Sequence, residues 1–171
     1  MIDRPPKILF YFPDHGGSNI DGPTADAINI ARSFKLANIP SIFVFNGHPD
    51  KFRKFKETGA DVRMIDMPLP GFKNHANFIY RRNFSRKLSE LIKTEKIEVV
   101  HLGQRASYVL NYIKTKSVLK VCTQGGGTPS PKPLRMLKSF TINPKTLLKL
   151  WYRKYVLWNY KRADLVICPS D

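Results

Sequence analysis

Four short segments of this chain are apolar almost throughout and rich in β-branched or aromatic residues: Lys7 to Phe12, Ser41 to Phe45, Val118 to Cys122 and Leu165 to Cys168. A strand that shows water one face alternates apolar and polar side chains, so near-continuous runs of this length demand burial on both faces. Two shorter runs, Val62 to Ile65 and Glu98 to His101, fit further strands. Helical patterns lie between them: Pro23 to Leu36 after the turn at Asp21 and Gly22, Ala76 to Lys93 with apolar Phe84, Leu88, Leu91 and Ile92, and Ser107 to Lys114. Alternation of this kind predicts an α/β fold, a single doubly wound parallel sheet of about six strands with helices on both faces and right-handed crossovers. Ligands of such sheets bind beyond the carboxyl ends of the strands, where strand order reverses.

At 171 residues the chain is expected to form one domain over 1–171 that folds without staples. Cys122 and Cys168 both fall inside the apolar runs, where they read as small buried hydrophobes and point to a reducing compartment. The first apolar run is too short for a signal-peptide core, and no window reaches the roughly 18 apolar residues of a membrane span. A cytoplasmic or peripheral location is therefore expected. Asn83, Phe84 and Ser85 fit a glycosylation sequon, but no secretory signal accompanies them.

The formal net charge is +16, and the imbalance is uneven: from Val99 to Ala163 there is no Asp or Glu, against thirteen Lys and Arg. Such a surface attracts phosphate, whether of nucleic acid, anionic lipid or a phosphorylated small molecule.

Several phosphate-binding folds can be excluded. After the first strand the chain reads Phe12-Pro-Asp-His-Gly-Gly-Ser-Asn-Ile-Asp-Gly22, without G-x-G-x-x-G spacing, and the second strand ends at Asn46 with no carboxylate to hold a ribose. P-loop, zinc-protease, hydrolase-elbow and paired-cysteine motifs are also missing. Adjacent glycines ahead of a helix still let backbone N–H groups approach an anion; a plain tight turn is the equal alternative.

Four ordered segments resemble the amino-terminal domain of a GT-B glycosyltransferase, most closely the retaining glycosyltransferase family 4. They are Lys7-Ile-Leu-Phe-Tyr-Phe-Pro-Asp-His-Gly-Gly17, the helix bearing Ala31-Arg32-Ser33-Phe34, Glu98-Val-Val-His101, and Arg162-Ala-Asp-Leu-Val-Ile-Cys-Pro-Ser170. The resemblance implies one Rossmann-like half of a two-domain enzyme, the donor-binding carboxyl-terminal domain lying outside this chain. It implies a hexosyltransferase that uses a nucleotide sugar and needs no metal or other cofactor. These 171 residues alone are then expected to transfer no sugar.

By the same likeness Gly16 and Gly17 approach the donor diphosphate, with Gln124 and Gly125 as further donor contacts. Relatives usually carry a His where Gln124 stands; an amide can hydrogen-bond a hydroxyl but cannot titrate. Asp14 binds acceptor hydroxyls or caps the following turn. His101 matches another His of the family and is catalytic or a satisfied structural residue. No catalytic residue is assigned beyond these candidates.

Lys145, Lys149 and Arg153 recur every four residues, with Leu147, Leu148, Trp151, Tyr155 and Trp158 on the other side, so a helix here is basic on one face and aromatic on the other. That suits an anionic membrane surface at the inner face of the cell membrane; the alternative packs the rings on the sheet. A second basic segment, with Arg81, Arg82, Arg86 and Lys87, strengthens the membrane reading, since membrane-associated relatives use basic helices of this domain to reach lipid-linked acceptors. Exposed aromatics beside Lys and Arg also stack bases, but no nucleic-acid motif accompanies them. The expectation is the acceptor-binding half of a glycosyltransferase acting on a lipid-linked or cell-surface polysaccharide acceptor. The alternative is a non-catalytic module that pairs with a separate donor-binding chain.

Overall fold

The computed structural model describes residues 4–13, 22–65, 78–103, 106–123, 155 and 158–168. Six strands form one parallel sheet: β1 (Ile8–Pro13), β2 (Ser41–Asn46), β3 (Asp61–Met64), β4 (Val99–Leu102), β5 (Leu119–Thr123) and β6 (Leu165–Ile167), in the order β3-β2-β1-β4-β5-β6. Among the described residues the helices with defined bounds are α1 (Gly22–Leu36), α2 (Pro49–Lys56) and α3 (Phe78–Thr94), and residues 155 and 158–160 are helical as well. Strand order reverses between β1 and β4, which pair through Ile8↔Val99 to Tyr11↔Leu102.

The apolar runs build both faces because alternate side chains of a strand point opposite ways. Phe10, Phe43, Phe45 and Val62 pack with Ala27, Ile28 and Ala31 of α1 and Phe55 of α2. Leu9, Tyr11, Ile42, Val44, Val100 and Leu102 face the other way, onto Tyr80, Phe84, Leu88 and Ile92 of α3. That second core extends to Tyr108, Val109, Leu110 and the half-buried Tyr155, Tyr160 and Ala163.

All six expected strands are present, within a residue or so of their expected ends. Two expectations are corrected. The helix expected over Ser107 to Lys114 is a 3-10 turn, Ser107–Asn111, closed by Val109 N–H to Ala106 C=O and Tyr112 N–H to Val109 C=O, both 2.9 Å. Ser107, Tyr108, Val109 and Leu110 are all buried, so the segment has no polar stripe with which an α-helix could face water. Secondly, Leu165 to Cys168 is not buried on both sides: β6 is the sheet's edge, with Leu165 52% and Ile167 43% exposed and Cys168 exposed too. Cys122 is buried as expected, and burial pushes its thiol up to about 12. Helix α2 was not anticipated; it lacks a Ser, Thr, Asp or Asn cap, and His48 takes that role, its Nδ1 accepting from the Asp50 N–H at 3.3 Å ahead of Pro49.

Among the described residues no helix is long and apolar enough to cross a membrane, and no cluster of three or more metal-ligating side chains occurs.

Candidate active site at the carboxyl edge of the sheet

A cavity of about 180 Å³ opens beside the carboxyl ends of β1, β4 and β5, where strand order reverses. Phe12, Phe45 and Phe55 supply apolar walls, while Thr24 and Asp26 of α1, His101 of β4 and Thr123 of β5 supply its polar groups. His101 pairs with Phe10 in the register of β1 with β4, which sets it on the α1 side of the sheet. Its Nε2 lies 2.6 Å from the Thr123 hydroxyl, and the rings of Phe10 and Phe12 stand 5.1 and 6.0 Å from it. Burial lowers the imidazole's pKa, so His101 is neutral at pH 7 and can offer or accept a hydrogen bond without carrying charge.

The floor of the cavity depends on Gly103. A Cβ there would come within 2.6 Å of Phe12 Cδ1 and 3.3 Å of the Tyr11 carbonyl oxygen, to which the Gly103 N–H already donates at 2.8 Å. Only a residue without a side chain lets the chain leave β4 this close to the Phe12 ring.

Of the residues singled out in the sequence, His101 lies in this cavity. Asp14, Gly16 and Gly17 follow β1, and Gln124 and Gly125 follow β5, but all five lie outside the described residues. So do Lys145, Lys149, Trp151 and Arg153. The basic residues of α3 divide: Arg82, Arg86 and Lys87 are exposed, whereas Arg81 is half-buried against two tyrosine rings. Trp158 is 49% exposed, with the Arg162 guanidinium carbon 4.3 Å from its ring centre. Thr24, Asp26, Gly103 and Thr123 were not anticipated. The signals were a glycine directly after a strand and a Thr-x-Asp pair opening a helix, each too common to stand out alone.

On the opposite face, the Tyr11 and Tyr108 hydroxyls are 3.4 Å apart, and the Asn46 amide donates to the Tyr80 hydroxyl at 2.7 Å. Burial raises the pKa of all three tyrosines, so their phenols stay protonated.

No curated protein matches the sequence. Among solved structures, a glycosyltransferase from Rickettsia africae ESF-5 superposes with a TM-score of 0.59 at 16% identity, over 97% of this chain and 42% of that one. The glycotransferase of kitacinnamycin gives a TM-score of 0.56 at 13% identity, over 93% of this chain and 39% of that one. At these identities the likeness is one of fold, and this chain spans about two-fifths of their length. The family model described as Glycosyltransferase Family 4 matches residues 21–171, nearly the whole sequence, and the chain belongs to that family.

Proposed function

We propose that this chain is the acceptor-binding half of a nucleotide-sugar-dependent hexosyltransferase, peripheral to the inner face of the cell membrane, acting on a lipid-linked or cell-surface polysaccharide acceptor. The observation that carries the reading is the cavity at the strand-order reversal, in which His101, Thr123 and Asp26 line an otherwise aromatic chamber. Aromatic walls suit the apolar face of a sugar ring, and a few fixed polar groups suit its hydroxyls.

In the reaction the anomeric carbon exchanges its bond to a diphosphate oxygen for one to an acceptor oxygen, with retention of configuration. The nucleoside diphosphate leaves with the bonding electrons and takes up the proton that the acceptor hydroxyl loses. In this reading Asp26 accepts a hydrogen bond from an acceptor hydroxyl, while Thr123 holds the neutral His101 ring in place to orient a second. Gly16, Gly17, Gln124 and Gly125 meet the donor, the remainder of whose pocket belongs to the missing carboxyl-terminal domain. Donors fixed at the developing negative charge of the leaving diphosphate are worth most in a water-poor cleft. No metal is required.

The test is transfer by the full-length protein from a panel of labelled nucleotide sugars to membrane extracts. Product formation that falls on Asp26→Asn, and that survives EDTA, supports the reading; wild-type turnover of none of the donors sinks it. A second reading, a non-catalytic module paired with a donor-binding chain, is favoured by the exposed apolar Leu119, Leu165 and Ile167 at the β5–β6 margin. Sedimentation with and without such a chain separates the two.

A further inference from the structure

Helix α3 begins at the carboxyl edge of the sheet, where its Tyr80 takes the hydrogen bond from Asn46, the last residue of β2. One residue on, Arg81 is clamped between aromatic rings: its guanidinium carbon is 5.2 Å from the centre of Tyr108 and 5.5 Å from that of Tyr155. Its Nε is cut off from water and meets no acceptor. Among the described residues Arg81 makes no hydrogen bond and no ion pair.

Three costs fall on this cation together. It is partly desolvated without an anion, it sits in the first turn of a 17-residue helix where the backbone dipole repels positive charge, and that turn holds no acidic residue. Ring contacts offset part of the desolvation but supply no acceptor for the N–H groups. The rings against it belong to tyrosines, and among the described residues no carboxylate is bonded to it. The nearby Asn46 amide, 3% exposed, is also satisfied at one end only, its Oδ1 meeting no donor.

We propose that Arg81 is the receptor for a phosphate group, held flat by Tyr108 and Tyr155 so that its terminal nitrogens present a fixed fork to the anion. The two rings fix the guanidinium plane in advance, which lowers the ordering cost of binding, and a planar fork matches two phosphate oxygens as an ammonium cannot. The inference deepens the acceptor reading and rests on it only for which molecule carries the phosphate: there it is the acceptor's. Arg82, Arg86 and Lys87, exposed on the same helix, serve a different purpose, general attraction to an anionic surface.

The experiment follows arginine Nε–H resonances of the full ¹⁵N-labelled chain during titration with inorganic phosphate. A saturable shift of the Arg81 Nε–H is expected in the wild type, kept within about twofold in affinity by the combined Arg82→Gln, Arg86→Gln, Lys87→Gln variant; the backbone amides of the first turn of α3, followed in every variant, are expected to report an affinity weakened roughly tenfold or more by Arg81→Gln. Arg81→Lys, which keeps the charge and loses the fork, is expected to recover only part of the affinity. A wild-type Arg81 resonance that does not move overturns the proposal without relying on any variant's folding, as does an Arg81→Gln affinity equal to wild type.

Flotation with phosphatidylcholine vesicles, with and without phosphatidic acid, identifies the source of the phosphate. Loss of the phosphatidic-acid-dependent fraction in Arg81→Gln assigns a lipid headgroup; unchanged flotation beside the lost phosphate shift assigns a soluble phosphate. If phosphate does not bind while the full-length enzyme still transfers sugar, the receptor fails and the transferase reading stands.

Discussion

Gly103 is the residue with the least freedom to change. Ala at this position has to displace the Phe12 ring, which forms a wall of the cavity, or strain the hydrogen bond to the Tyr11 carbonyl. Overpacking of this kind costs about 1–3 kcal/mol. Gly103→Ala is therefore expected to lower the unfolding free energy, read by denaturant melts, by that amount and to weaken acceptor binding more than donor binding. His101 carries a pH signature. Burial holds its folded pKa below the ordinary 6.5, so as pH falls the unfolded chain takes up this proton first. Its contribution to stability is complete above about pH 6.5 and is lost as pH drops through the interval down to the folded value. Denaturant melts from about pH 8 to 5 should show this fall, and His101→Gln should flatten it; a slope unchanged by the substitution refutes the assignment. Little of this was legible beforehand. His101 stood out as a titratable residue at a strand end, but Asp26 enters the cavity through the rotational phase of α1, and Arg81 could not be told from Arg82 by composition.

Helix α3 is the principal element of one face. Phe84 is fully buried, 4.6 Å from the Tyr11 ring and 6.2 Å from that of Tyr80, and its loss would open a hole under β1. Phe84→Ala is expected to cost about 3–5 kcal/mol, read by urea melts, and to loosen the turn that carries Arg81. By contrast, removing the exposed Arg86 should change stability by less than about 0.5 kcal/mol. The strands were readable because burial on both faces leaves an unbroken apolar run, a signal that needs no phase. Helices were harder. The apolar positions of α3 recur at helical spacing over 17 residues and declared it. Helix α2 has eight residues, five of them charged, and a histidine cap, so its pattern was faint. The segment at Ser107–Asn111 gave an apolar signal without indicating which hydrogen-bond spacing would satisfy its backbone.

For the whole molecule, charge is the dominant long-range property. A chain at +16 with exposed Arg82, Arg86 and Lys87 should float with vesicles in proportion to their anionic lipid and be released by salt, since the Debye length shrinks from about 10 Å at 0.1 M to about 3 Å at 1 M. Flotation that ignores lipid charge would remove the membrane from the proposed function. Topology has a further consequence at this scale. Among the described residues strand β6 pairs with β5 alone, and the register joins Thr123 to Ile167 across an intervening stretch of chain longer than any other between successive strands of the sheet. Joining segments so far apart in sequence for so few hydrogen bonds makes this pairing late to form and early to open. Amide exchange should show β6 releasing below the free energy of global unfolding, and the segment that detaches with it includes Tyr155, one side of the clamp around Arg81. An anion seated there would then slow the fraying of a distant strand, so the sheet's weakest margin would report whether the receptor is occupied.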